Sequence, residues 1–416
     1  MNKGFISGVR YAGLLFLIVL LPLCNAADLP KLLMGIGPSG GNIKSIAYLG
    51  NGNILIGTYH GRVLNSLDDG KTWSDVTPDV LNPDMLVEQI CFHEVTKQIF
   101  IAARNFEKGL LIRSRPGNLS VESPEWETLL TIMPIRSLVM TKGDPPEIYL
   151  GTDRWIYYSL DGGAGWRIFL TAFPDPQIES LALDPRDSRH IYAGSWQRCF
   201  KTSDKGKTWR PIHKGMAADS DVFTLVFDAS DTLWAGTCGY VYKSDNKGES
   251  WQKVVAGFKG KRIHVLKESS DGRLFAGTDT GLYVFDTVKQ RWNVCIPNIS
   301  IQDIALNEKN TVYCATEGSG VARFESETTP AVSFMTGFDA SSPKEIKVLE
   351  SGELTVGLMY QNEGGGLWQR QNDVWIRFDI PLSNTNIWDF CELPGYLVLA
   401  TGDGLHVVTQ KSPHIN

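Results

Sequence analysis

Four times before residue 252 the chain writes nearly the same eight residues. Ser66 opens SLDDGKTW, Ser159 opens SLDGGAGW, Thr202 opens TSDKGKTW and Ser244 opens SDNKGESW. Upstream of each lies a second recurring element, a short β-branched and aromatic run that ends in a small residue. These runs continue past the last turn: NILIGT, QIFIAA, EIYLGT, HIYAGS, TLWAGT, RLFAGT, TVYCAT, LTVGL and YLVLAT. Their small residues, Gly57, Ala102, Gly151, Gly194, Gly236, Gly277, Ala315, Gly357 and Ala400, follow one another at intervals of 38 to 49 residues. Self-similarity at such a period marks a repeat architecture, and it overrides the two or three domains that the length alone would suggest.

Each unit reads as four short strands without helical periodicity between them, the pattern of a β-propeller blade. The expectation is an all-β protein, a single propeller of nine four-stranded blades over residues 27–416, or eight if one unit is misread. The last unit supplies three strands, and Leu32–Ile36 is expected to add the fourth, closing the ring and removing a free sheet edge. The small residue in each second strand suits the crowding near the axis, where a larger side chain would meet the neighbouring blade.

The repeated turn has a physical logic of its own. Its Asp can accept backbone N–H groups of the turn, its Gly supplies a positive φ, and its Trp can bury between blades. Asp68, Gly70 and Trp73 fill these places first, then Asp161, Gly163 and Trp166, Asp204, Gly206 and Trp209, and lastly Asn246, Gly248 and Trp251. A catalytic group is needed once per site whereas every blade needs its turn, so these residues are assigned to structure. The motif resembles the Asp-box, or BNR-type, repeat of sialidases, xyloglucan-degrading propellers, the sortilin-type luminal domain and the photosystem II assembly and stability factors. With GPSGGNIKSIAYL and LALDPRDSRHIYAGS beside it, the chain is most similar to the last group and its bacterial relatives. The resemblance implies a propeller; it implies no single activity, because the fold hosts hydrolases, lyases and pure binding proteins.

Likeness to other propellers also implies that ligands use the face opposite the repeated turns, built from loops after the second strands. Those loops, with a segment leading into the third blade, offer Tyr59, His60, Arg62, Arg104, Arg136, Arg154, Trp155, Trp196, Arg198 and Tyr240, an Arg- and aromatic-rich half. The later blades offer Asp279, Glu317, Tyr360, Glu363 and Asp403 instead. One reading is a binding or assembly protein that grips an acidic or amphipathic partner segment through arginines and aromatics. The alternative is a sialidase-like hydrolase or a lyase acting on an acidic glycan, with Glu317 or Glu363 as acid/base and Tyr59 or Tyr360 beside them. Against it, the chain lacks the F-R-I-P segment of sialidases, MPIRS being a distant echo, and shows no xyloglucanase-type acid pair.

The N-terminus fixes the expected compartment. Lys3 and Arg10 precede AGLLFLIVLLPL and then CNA, the layout of a secretory signal cut after Ala26, which would leave an exported, periplasmic or secreted protein. No later run is long enough to span a membrane. Without Lys3 and Arg10, 38 of the 40 basic residues face 46 acidic ones. With no Lys/Arg-rich run besides, nucleic acid is excluded as the main partner, and another exported or membrane-anchored protein is expected instead. Six cysteines follow the signal without CxxC spacing or a His cluster, so neither a metal nor a cofactor is expected. Cys199 and Cys238 fall near one rim of adjacent units and are the candidate disulfide.

Overall fold

The computed structural model describes residues 42–115, 124–169, 177–196, 198–217, 220–254, 262–317 and 320–324. Towards the C-terminus it describes the strands 332–334, 342–348, 354–359, 366–371, 374–377, 387–393, 396–401 and 404–409. Among these residues the chain makes nine antiparallel sheets, eight of four strands and a last one of three, each strand pairing with its neighbour in sequence. Every sequence repeat therefore becomes a sheet.

Only seven of the sheets form the ring. Their first strands, Ile43–Gly50, Leu86–His93, Ile135–Met140, Ile178–Leu183, Val222–Phe227, Ile263–Glu268 and Ile301–Leu306, each touch the next, and the seventh touches the first. These strands lie innermost around the axis. The apolar core is divided in the same way, into seven clusters between successive blades. The cluster at the closing joint brings Ile43, Ile46, Ile54 and Ile56 of blade 1 against Ala305, Tyr313, Ala315 and Val321 of blade 7. Tyr48 stacks on Tyr313 across this joint, with ring centroids 6.2 Å apart.

This overturns the expectation of nine or eight blades, and with it the closure by the N-terminal segment. Leu32–Ile36 lies outside the described residues, and blades 1 and 7 each draw all four strands from their own stretch of chain. A repeat period counts units; which two units meet is decided by side-chain packing between positions about 260 residues apart, as between Tyr48 and Glu308, which no period records. The eighth sheet, from Ser342–Val348 to Val374–Arg377, and the ninth, from Ile387–Leu393 to Gly404–Thr409, pack on each other. Leu367 meets Phe390, Leu397 and Leu399 between them.

The small residues of the second strands stand where adjacent blades come closest. A Cβ on Gly57 would lie 2.2 Å from Cγ1 of Val87 in blade 2, and one on Gly277 would lie 2.7 Å from Cγ2 of Ile301 in blade 7. The four repeated turns share a Ser or Thr hydroxyl that donates to the Asp or Asn and accepts the Gly N–H. In blade 1 the Ser66 hydroxyl donates to Asp68 and accepts Gly70 N–H, while Asp68 Oδ1 accepts the amides of Lys71 and Thr72. Trp73 Nε1–H then donates to the Gly70 carbonyl. In blade 4 Gly206 sits at φ +83°, and a Cβ there would come within 2.3 Å of the Phe169 ring in blade 3. The turn thus fastens each blade to its predecessor. Blade 6 makes a related turn from residues outside the motif, Asp286 Oδ1 accepting the amides of Val288 and Lys289.

The candidate disulfide is not formed. Cys199 is fully buried in the cluster between blades 4 and 5 beside Tyr192 and Val222, while Cys238 is exposed where its backbone bridges to Arg262; both thiols are free. Adjacent units placed the two residues on one rim, but their side chains serve different surfaces.

Candidate functional site at the channel mouth

Each inner strand carries a β-bulge near its start. In blade 1, Ile43 pairs with Thr58 and Ser45 with Gly57, leaving Lys44 without a counterpart. The same skip leaves out Glu88, Arg136, Glu179, Phe223, His264 and Gln302 in blades 2 to 7. A bulge re-aims the extra side chain, and here all seven line one cavity of about 570 Å³ around the axis. The second strands end beside these bulges, and their loops add Tyr59, Arg104, Trp196, Asp279 and Glu317 to the lining. The repeated turns follow the third strands, whose antiparallel register (Ile54 opposite Ser66, Gly57 opposite Val63) puts them at the other end of each blade.

Most of the charge at this mouth is internally matched. Glu88 receives Arg104 Nε at 2.6 Å and Lys44 Nζ at 3.2 Å. Burial alone would raise the Glu88 pKa, but these two cations outweigh it and hold the carboxyl below its ordinary range. Arg136 is shared between Asp153 and Glu179, the latter at 2.9 Å, and Glu179 also accepts the Trp196 indole N–H at 2.7 Å. On the far side His264 Nε2 meets Asp279 at 2.5 Å. Burial lowers the His264 pKa, which favours neutral imidazole. Gln302 accepts the Tyr59 hydroxyl at 3.0 Å and donates to Glu317 at 3.2 Å, and Ser300 donates to Glu317 at 3.1 Å. Burial, followed by the charge of Glu317, pushes the Tyr59 phenol far above its ordinary pKa, so it does not ionise near neutral pH.

Blade 5 departs from the pattern. Its bulge carries Phe223, and Arg262 lays its guanidinium 3.9 Å from the Phe223 ring centroid. Among the described residues no carboxylate forms an ion pair with Arg262. Lining the same cavity, Trp196 is 47 % exposed and held by Glu179 through its nitrogen.

Of the ten residues proposed from sequence for ligand contact, Tyr59, Arg104, Arg136 and Trp196 line the cavity. Arg62 is turned outward into an ion pair with Asp75 on the outermost strand, at 2.8 Å. His60, Arg154 and Arg198 are exposed and Trp155 half-buried on the surrounding loops, and Tyr240 packs edge-on against Tyr242. Glu317 is in the cavity; Tyr360, Glu363 and Asp403 lie outside the described residues. The expected Arg-rich half is a row of alternating charge, because the bulged acids Glu88 and Glu179 sit among the loop arginines. Of the bulge column sequence reading picked out Arg136 alone among its proposed contacts, although aligning the repeats on their small residues exposes the whole column 13 to 15 positions upstream.

No family model and no curated protein matches the chain. Solved structures do. A GH74 enzyme from Niastella koreensis is similar over 90% of this chain and 65% of its own, at 14% identity and a TM-score of 0.66. YCF48 bound to D1 peptide is similar over 72% of this chain and 99% of its own, at 13% identity and a TM-score of 0.55. The extracellular domain of the hybrid two-component system BT4673 from B. thetaiotaomicron is similar over 90% of this chain and 57% of its own, at 16% identity and a TM-score of 0.55. The chain therefore spans less than two thirds of the GH74 enzyme and of the BT4673 domain. At these identities the likeness establishes the propeller fold, and that fold is shared by binding proteins and an enzyme alike.

Proposed function

We propose that this chain is an exported, non-enzymatic binding protein that engages a segment of a partner protein at the mouth of its seven-bladed ring. One observation carries the reading: aromatic side chains and Arg262, which forms no ion pair among the described residues, face an open cavity most of whose other charges are matched among themselves. Such a surface can take up a side chain without first breaking an ion pair, and aromatics and arginine are the usual anchors of protein interfaces. His60, Arg154, Trp155 and Arg198 form the outer rim of the same face in this reading. The repeated turns are Asp-box, BNR-type elements with a structural role. Residues 1–26 are the export signal, and the partner is another exported or membrane-anchored protein, met in the periplasm or outside the cell. That YCF48, of the same fold, is known bound to D1 peptide supports a peptide segment as the ligand.

The alternative, cleavage of an acidic glycan, finds less support. It needs one carboxyl poised to donate a proton beside a second group that attacks or activates water. Glu88 and Asp279 are both held below their ordinary pKa, Glu179 is bound to Arg136, and the Tyr59 phenol is hard to ionise. Selection of displayed peptides against the immobilised protein tests the binding reading. Enriched peptides are expected to lose at least about tenfold in affinity on Trp196→Ala and on Arg262→Ala, a typical effect for an interface anchor. Failure to enrich, or peptides indifferent to both variants, rejects it. Release of new reducing ends or unsaturated products from an acidic glycan panel would establish the enzyme instead.

A further inference from the structure

The mouth is a seven-fold motif with one exception, and the exception has its own chemistry. Six bulges present Lys44, Glu88, Arg136, Glu179, His264 and Gln302, each engaged by a polar neighbour; the fifth presents Phe223. The loop after the second strand of blade 5 opens with the exposed Cys238, where the corresponding loops of blades 6 and 7 open with the acids Asp279 and Glu317. Arg262 lies across the Phe223 ring at 3.9 Å; the nearby Asp279, whose pKa its charge helps to lower, bonds His264 and forms no ion pair with it among the described residues. Stacking leaves the edge of a guanidinium free, and that edge presents N–H groups in the fork that fits a carboxylate. Trp196 lines the same cavity, its ring held by the bond from its nitrogen to Glu179 at 2.7 Å, so an apolar face is offered without a mobile side chain having to be ordered.

We infer that Phe223, Arg262 and Trp196 form a subsite for a carboxylate carried next to an aromatic ring, Arg262 taking the carboxylate and the two rings taking the aromatic group. The subsite deepens the binding reading by naming the chemistry of the segment that the mouth selects, an acidic group beside an aromatic side chain. A basic segment would meet Arg262 with like charge, and a purely apolar one would leave the guanidinium edge without a partner.

The test uses the full chain with 3-(4-fluorophenyl)propionate and its neutral amide, followed by fluorine NMR titration. The acid is expected to bind about tenfold more tightly than the amide, the difference one charge-assisted fork contributes. Arg262→Gln should erase that preference and Arg262→Lys retain part of it, both with unchanged melting temperatures. Phe223→Leu should weaken acid and amide together. Equal binding of the two probes, a preference that survives Arg262→Gln, or no binding of the acid at millimolar concentration overturns the subsite. Peptides that select the mouth and depend on Trp196 while the acid shows no preference would sink the subsite and leave the binding reading intact. Probe selectivity without any peptide binding would do the reverse.

Discussion

Asp303 in blade 7 accepts the backbone N–H of Ile46 in blade 1 at 3.0 Å, across the joint where the ring closes. The same bond recurs inside the ring. Gln89 accepts Leu138 N–H at 2.8 Å, and the Thr224 hydroxyl accepts Leu266 N–H at 3.3 Å, each acceptor being the residue after its bulge. The closing joint is thus of the same kind as the others. Replacing Asp303 by Ala strands the Ile46 amide, at a cost of about 1–3 kcal/mol for an unsatisfied buried donor. Asp303→Asn keeps the acceptor. Burial raises the Asp303 pKa, so the charged form is disfavoured there, and the uncharged Asn variant should lose less stability than the Ala variant. Urea unfolding of the two variants checks the pair; equal losses would remove the bond from the closure.

If seven blades close on themselves, the ring does not need the two sheets beyond it. A chain ending at Phe334 should remain soluble, keep a β-rich circular dichroism spectrum and unfold in one cooperative transition near that of the full chain. Loss of folding on this truncation would mean that the later sheets belong to the ring after all.

The crowding at the second strands and the packing of the turns predict where substitution is costly. Gly57→Val drives a branched side chain into Val87 of the next blade, and overpacking of that kind costs about 1–3 kcal/mol or more. Trp209 packs on Phe169 with ring centroids 6.0 Å apart, and Trp209→Ala should lose about 3 kcal/mol by emptying an aromatic site. Trp196→Ala, on a half-exposed ring, should cost far less in melting temperature than Trp209→Ala while affecting binding. Thermal unfolding of the three variants separates frame from surface.

How much of this was legible follows from what repeats and what does not. The turn around Asp68 and the small residue at Gly57 recur, so their roles could be read from type and spacing. The bulge column recurs as well, yet its members, from Lys44 to Phe223, share no chemistry; only the register with the second strand reveals them as one position. The closing partner of blade 1 was hidden for a different reason. Asp303 and Ile46 look like their counterparts elsewhere, and nothing local says that the seventh unit rather than the ninth meets the first. Pairing of the mouth charges was likewise hidden, because Glu88 and Arg104 approach only when the second strand folds back on the first.

The last expectation concerns acid. The Asp204 carboxyl is lowered to about 2, first by the Thr208 hydroxyl and amide and then by Thr202. Asp161 is lowered, first by Ser159, and Asp68 is lowered because Thr72 and Ser66 outweigh a burial that alone would raise it. A carboxyl whose folded pKa lies below its unfolded value stabilises the fold above the unfolded value, and that contribution is lost as pH falls through the folded one. Stability should therefore drop between roughly pH 4 and pH 2, the interval between an ordinary Asp and Asp204. Blade 5 supplies the control. Asn246 Oδ1 accepts the Ser250 amide at 3.0 Å in the same turn without a titrating group. Converting Asp68, Asp161 and Asp204 together to Asn should keep the ring folded at neutral pH and flatten its acid unfolding curve. The check is the melting temperature followed from pH 5 to pH 2 for parent and variant; parallel curves would place the acid sensitivity elsewhere.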